Sequence, residues 1–209
     1  IHDEVRKAID SVDVHSYFLH SPLPFTNDRI AFLKRYRKWM DRKYPGVPVK
    51  MSEWTHMQGG RDYGMDSAIV TASVMYEDFT ILGASSWQHW IAVSEVDYCD
   101  GLIYINVPEK TFEITKRFYV TGNYTRYLNR GAVRIEACSE DEDVLVTAFE
   151  DKGKTVLVVV NKSTLEKKVT VPADKCVLVA VTDNDNNLIR FEYLNQSDIN
   201  YYKTYYSLQ

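Results

Sequence analysis

The chain has 209 residues, 45% hydrophobic and 26% charged, with a formal net charge of −4. These proportions describe a globular chain, give no case for a nucleic-acid binder, and include no apolar run near the roughly 20 residues that span a bilayer. Cys99, Cys138 and Cys176 are odd in number and lack Cys-x-x-Cys spacing, and the five histidines lack a His-Glu-x-x-His pattern, so no disulfide framework, metal site or cofactor is indicated.

Ile1–Asp10 reads as the tail of a helix, and Ser11–Tyr17 as a strand with His15 and Tyr17 on one face. A helix is expected from about Asn27, its cap, to Tyr44, burying Ile30, Leu33, Tyr36 and Met40. Pro48 disfavours helix at Val47, and Tyr44-Pro45-Gly46 ends what precedes it, so Val47–Trp54 starts extended. Alternation then places Val49, Met51 and Glu53 on one face and Trp54 on the other. The polar, Gly-rich stretch Thr55–Gly60 follows, which leaves Glu53 at a strand end beside a loop mouth, with His56, Arg61 and Asp62 as further loop candidates.

A second helix is expected from Asp66 to Leu82, with Ile69, Ala72, Met75, Phe79 and Leu82 at helical spacing and Gly83 closing it. Ala84–Ala92 reads as a third strand with Trp90 on the face of Ser86 and Gln88, and Trp87 and His89 opposite. A loop holding Asp97, Tyr98, Asp100 and Tyr104 leads to a third helix, Thr111–Leu128. Three strand-then-helix units in a row imply a parallel sheet. From Gly131 the pattern changes to short strands, Val144–Phe149, Thr155–Val160, Lys168–Val171, Val177–Val181 and Leu188–Tyr193, with a hairpin turn at Glu150–Lys154. The expected organisation is α/β over residues 1–130 and an antiparallel β-sandwich over 131–209. Sequons stand at Asn123, Asn161 and Asn195.

His15-Ser-Tyr17, Met51-Ser-Glu-Trp54, Ser85-Ser-Trp-Gln-His-Trp90, Asp97-Tyr-Cys-Asp-Gly-Leu-Ile-Tyr104 and Phe118–Arg126 leading into Gly131–Glu136 resemble, in order and spacing, the C-terminal half of glycoside hydrolase family 30. That resemblance implies a retaining β-glycosidase: the three strands would be strands six to eight of a (β/α)₈ TIM barrel, followed by a side β-sandwich. It places Glu53 as nucleophile, with His15 and Tyr17 lining the sugar site beside it as substrate-binding residues that also orient Glu53; Trp90, by its strand face, and Trp54, by its place next to Glu53, are the further substrate-binding candidates. A retaining mechanism pairs such a carboxylate with a second carboxyl group about 5 Å away that protonates the leaving oxygen. In the family that acid/base belongs to strand four, which has no counterpart here.

A barrel takes about 250 residues, so residues 1–130 would not close one alone. The chain is therefore expected to be a fragment, or one of two complementing chains, whose missing N-terminal barrel half is supplied in cis or in trans. The resemblance further implies a β-linked oligo- or polysaccharide as partner, with endo-β-1,6-galactanase or xylanase type action, and an extracellular or periplasmic address. Two other classes stay open, a non-catalytic carbohydrate-binding protein and a subunit completing a partner's barrel.

Overall fold

The computed structural model describes residues 4, 7–17, 28–169, 177–193 and 203–204. The chain divides into two compact units, Ile1–Thr55 with Val74–Ile91, and His56–Ser73 with Ala92–Gln209. Cys176, Asn195 and the Tyr-rich C-terminal stretch lie outside the described residues, apart from Lys203–Thr204.

In the first unit β1 (Val12–His15), β2 (Val49–Trp54) and β3 (Ala84–His89) form a parallel sheet in that order. The connection from β1 to β2 holds helix α1 (Arg29–Lys43). Its cap is Asp28, whose carboxylate accepts the Ala31 N–H at 2.9 Å; the expected cap, Asn27, lies outside the described residues. Leu33 and Met40 of α1 meet Val49 and Leu82 in a core with no exposed surface, and Val12 and Val14 pack against it. Ile30 departs from expectation and is 42% exposed. The buried stripe of α1 begins at Arg29 and continues through Leu33 to Met40, spacings of four and seven, which turns the neighbouring Ile30 outward.

Helix α2 (Met65–Glu77) connects to β3 through a π-helical turn, Asp78–Leu82. Gly83 ends it with φ 69°, a left-handed conformation that glycine adopts without steric cost. β3 stops at His89, short of the expected Ala92.

The polar centre of this unit is Asp78, which has no exposed surface. Its Oδ1 accepts from Arg29 Nη2 at 2.7 Å and from Ser16 Oγ at 2.8 Å, and its Oδ2 accepts the Trp87 indole N–H at 3.0 Å. Arg29, itself 4% exposed, also donates to Ser16 Oγ and to Glu77 Oε2, the latter at 2.9 Å. Burial pushes the Asp78 carboxyl above its ordinary range, while Arg29 and the Ser16 and Trp87 donors pull it back. One carboxylate thus ties together the end of β1, the start of α1, the end of α2 and the middle of β3.

The second unit contains β4 (Val93–Ser94), β5 (Ile103–Asn106) and β6 (Thr111–Ile114) in one sheet. The helix expected from Thr111 therefore starts later: Thr-Phe-Glu-Ile pairs antiparallel with β5, and α3 runs from Lys116 to Thr125. Thr115 marks the change, with φ −84° and ψ 162° and its hydroxyl donating to Leu102 O at 2.9 Å. Two β-branched residues and one aromatic among these four suit a pleated strand better than a helix start.

Downstream, β7 (Val133–Ile135), β8 (Val144–Asp151) and β9 (Lys154–Asn161) form an antiparallel sheet, and β11 (Val177–Thr182) pairs with β12 (Asn187–Tyr193). Between these, β10 (Lys167–Lys168) pairs with β13 (Lys203–Thr204); residues 170–171 of the strand expected there lie outside the described residues. The β8–β9 turn is Lys152-Gly153, both at positive φ, which matches the twist of a two-residue hairpin. Met65, Ala68, Ile69 and Ala72 of α2 pack with Val120 of α3 and Val160 of β9. Two sequons are structurally committed. The Asn123 amide donates to Ala180 O and accepts from Thr182 Oγ1, and Asn161 is fully buried with its amide on Leu165 O at 2.7 Å.

Removing one partner of a buried ion pair costs about 3–5 kcal/mol, because the other charge is left without an answer. Arg29→Met should lower stability by that order in urea denaturation. The double variant Arg29→Met with Asp78→Leu should lose clearly less than the single one. A double variant no more stable than Arg29→Met would show that the pair itself is not what Asp78 requires.

Candidate active site

The site is built where β1 and β2 end. Their register runs Val12 to Val49, Asp13 to Lys50 and Val14 to Met51, then shifts so that His15 stands opposite Glu53. Ser52 is the extra residue of this bulge, and its hydroxyl donates to Val14 O at 3.3 Å. A bulge interrupts strict alternation and re-aims the next side chain. Val49 and Met51 are fully buried, whereas the Glu53 side chain is 29% exposed, so the single face expected for all three is broken at Ser52.

The re-aimed Glu53 meets both flanking residues of β1. The Tyr17 hydroxyl donates to Glu53 Oε1 at 3.1 Å, and His15 Nδ1 lies 3.6 Å from the same oxygen. The His15 and Tyr17 rings meet edge to face at 6.1 Å. Between them Ser16 points the other way, into the Asp78 network, while its backbone N–H donates to Glu53 O at 3.2 Å. His15 and Tyr17 are thus held from behind by a residue with 1% exposure.

The two tryptophans are placed differently. Trp54 is 5% exposed and packs with Met51, Val74 and Trp87, its ring 5.9 Å from that of Trp87. Trp90, just past β3, is 51% exposed, and its backbone N–H donates to Trp54 O at 2.9 Å. The Trp90–Ile91 peptide is cis. The structure therefore joins Glu53, His15 and Tyr17 by side-chain contact, sets Trp54 in the core, and leaves Trp90 open to solvent at the same end of the sheet.

Sequence reasoning passed over Arg29, Asp78 and Ser16, which position this cluster. A signal was present. Asp78 stands at helical spacing between Met75 and Leu82, and Arg29 heads the stripe of Leu33 and Met40, so two opposite charges occupy core-facing positions.

The loop candidates of the second unit serve a different centre. Arg117, with no exposed surface, donates to Asp62 O at 3.0 Å, Cys99 Sγ at 3.0 Å, Gly101 O at 2.6 Å and Tyr104 Oη at 3.0 Å, and also to Ser67 Oγ. Asp62 caps α2, accepting the Gly64 N–H at 2.7 Å and the Ser67 N–H at 2.9 Å. Arg61 donates to the carbonyls of Glu95 and Val96, with its guanidinium 4.8 Å over the Tyr104 ring. His56 Nδ1 lies 3.7 Å from Cys99 Sγ, and the Tyr98 hydroxyl 3.6 Å from Met57 Sδ. Burial pushes the Cys99 thiol and the Tyr104 hydroxyl up from their ordinary values.

A model of O-glycosyl hydrolase family 30 matches residues 3–104, and a model of the glycosyl hydrolase family 30 beta sandwich domain matches residues 131–195. Among solved structures, a conserved exported protein from Bacteroides fragilis is similar with a TM-score of 0.72 and 21% identity, over 90% of this chain and 43% of that one. A GH30 endoxylanase from Clostridium papyrosolvens C71 is similar with a TM-score of 0.56 and 17% identity, over 76% and 42%. A family 30 subfamily 8 xylanase from Clostridium acetobutylicum has a TM-score of 0.55 and 20% identity, over 73% and 41%. This chain spans less than half the length of each, and the likeness concerns the fold. No curated protein matches.

The Asp62 cap makes a prediction about pH. Burial alone would raise its carboxyl, but the Gly64 and Ser67 donors and the Arg117 charge outweigh it and hold the group below its ordinary range. A depressed carboxyl contributes stability that is present above the unfolded-state value of about 3.9 and is lost as pH falls through the folded value. Asp62→Asn should therefore be less stable than the parent at pH 7, with the gap closing below about pH 4. A gap that stays constant in thermal melts across that range would rule out ionisation as the source.

Proposed function

We propose, for a chain that belongs to glycoside hydrolase family 30 over residues 3–104 and 131–195, that Glu53 is the nucleophile of a retaining β-glycoside hydrolase acting on a plant or microbial β-glycan. The observation that carries this reading is the Glu53 carboxylate at the sheet's C-terminal end, part-exposed, bonded to Tyr17 at 3.1 Å and flanked by His15. Parallel α/β sheets present their reacting groups at that end.

In the proposed reaction a Glu53 oxygen bonds to the anomeric carbon while the bond to the leaving oxygen breaks, and the leaving oxygen takes a proton from a second carboxyl group. Water then attacks the same carbon, the glycosyl–Glu53 bond breaks, and the second group receives the proton from water. The Tyr17 hydroxyl fixes the attacking oxygen before reaction and answers its charge when the carboxylate departs in the second step. His15 borders the same oxygen. Trp90, exposed beside the strand end, is positioned to take the face of a sugar ring.

The acid/base is not assigned to a residue of this chain. Under this reading β1, β2 and β3 are strands six, seven and eight of a (β/α)₈ barrel whose other strands and acid/base come from a further segment, in cis or in trans. The chain's span of less than half its structural neighbours supports that, as does a sheet whose two outer strands each have one partner among the described residues. Endo-β-1,6-galactanase or xylanase type action is the proposed specificity, two of the similar structures being described as xylanases. The similar protein from Bacteroides fragilis is described as exported, in keeping with a proposed extracellular or periplasmic address.

Trapping tests the nucleophile separately from the acid. A dinitrophenolate leaves without protonation, so dinitrophenyl 2-deoxy-2-fluoro-β-glycosides of galactose, xylose and glucose need the nucleophile alone to accumulate a glycosyl–enzyme. Peptide mass spectrometry should place the adduct on Glu53 and find none in Glu53→Gln. Label on another carboxylate, in an assembled enzyme that hydrolyses glycan, would end the assignment. In the same assembled enzyme Tyr17→Phe should lower kcat/KM by up to about 10²-fold with the fold retained; unchanged kinetics would remove Tyr17 from the mechanism.

A further inference from the structure

Helix α1 carries a concentration of charge that neither the fold nor the Glu53 site explains. Its fifteen residues, RIAFLKRYRKWMDRK, hold seven cations and one carboxylate. That local charge of +6 sits in a chain whose net charge is −4, so the remaining residues carry −10. Two of the cations are used within the first unit. Arg29 serves Asp78 and Glu77, and Arg37 pairs with Asp41 at 2.6 Å and donates to Leu82 O. The others are exposed, and four of them share a face: Lys34, Lys38 and Arg42 follow one another at i,i+4, and Arg35 lies beside Arg42 two turns along. Like charges at that spacing destabilise a helix by a few tenths of a kcal/mol per pair, a cost that bound anions would relieve.

An aromatic ridge borders the same face. Phe32 stacks on Tyr36 with ring centroids 6.4 Å apart and planes within 10°, Tyr36 lies 5.8 Å from Trp39, and Trp39 lies 5.5 Å from Tyr44. Tyr36 and Tyr44 also pack against the core, which fixes the ridge from beneath. Trp39 is 40% exposed and lies one turn from both Arg35 and Arg42.

We infer that this face of α1 is a surface site for an acidic polysaccharide, whose carboxylates pair with Lys34, Arg35, Lys38 and Arg42 while a sugar ring lies against Trp39. The inference rests on the glycan-hydrolase reading for the choice of a sugar polymer. It concerns a place apart from Glu53, on the helix between β1 and β2. Sparse carboxylates separated by neutral rings fit a basic stripe flanked by an aromatic ridge. A continuous polyphosphate would instead meet the net negative charge carried by the rest of the chain.

Native affinity electrophoresis tests it, with carboxymethyl cellulose as acidic glycan, hydroxyethyl cellulose as neutral control, and poly-glutamate and duplex DNA as anions of other chemistry. The protein should be retarded by carboxymethyl cellulose alone, less so as salt rises. Replacing the four cations together by Gln should weaken retardation at least about tenfold, and Trp39→Ala about three- to tenfold. Glu53→Gln should leave it unchanged, so retardation persists even if Glu53 proves not to be a nucleophile. Equal retardation by poly-glutamate or DNA without dependence on Trp39 would overturn the inference in favour of a general polyanion face. Retardation that survives both α1 variants, or disappears in Glu53→Gln, would place binding elsewhere and overturn it too.

Discussion

A carboxylate with no access to water must find its counter-charge and donors within hydrogen-bond distance, and in the first unit that requirement is met at Asp78. Because Arg29, Ser16 and Trp87 all answer the same side chain, the ends of three elements and the middle of a fourth are fixed by one group. The consequence reaches the surface through a single peptide. Ser16 faces the network, so its neighbours His15 and Tyr17 face Glu53. An apolar replacement at Asp78 could fill the volume, yet it would give no reason for β1 to end where it does. Buried polar groups in other proteins specify register in this way, at some expense of stability.

The second determinant is a single inserted residue. Without the bulge at Ser52, period-two alternation would keep Glu53 on the face of Val49 and Met51, which are sealed in the core. With it, Trp54 packs inward against Trp87 and the carboxylate emerges beside Tyr17. An exposed carboxylate and a buried ring thereby stand on two consecutive residues. The exposure of Trp90, whose N–H is tied to Trp54 O, belongs to the same strand-end arrangement.

The second unit shows how polar loops are consumed by structure. Arg117 has no exposed surface and spends its donors on two carbonyls, two hydroxyls and a thiol, while Asp62 spends its oxygens on the Gly64 and Ser67 N–H groups at the start of α2. Such residues look like binding groups in a sequence because a buried network and a binding loop draw on the same side chains. Exposure separates them. Lys34, Arg35, Lys38 and Arg42 of α1 stay in water beside a partly open tryptophan, whereas Arg117 is turned fully inward.

The sequence by itself determined the order of elements as far as β3, because helical and strand periodicities are local: the parallel β1–β2–β3 succession, the glycine stop at Gly83 and, further on, the Lys152-Gly153 turn follow from residues within a few positions of one another, whereas β4, β5 and β6 fall in stretches that read as loop and helix. It also carried the family, through short motifs that keep their spacing. Local pattern could not decide where α3 starts, since Thr111–Ile114 becomes a strand only by pairing with β5. Nor could it decide which way Glu53 points, which depends on a register shift against another strand, or that Asp78 and Arg29 meet, being 49 residues apart. Those are properties of chain segments in contact, and burial and hydrogen-bond satisfaction set them only when the tertiary structure forms.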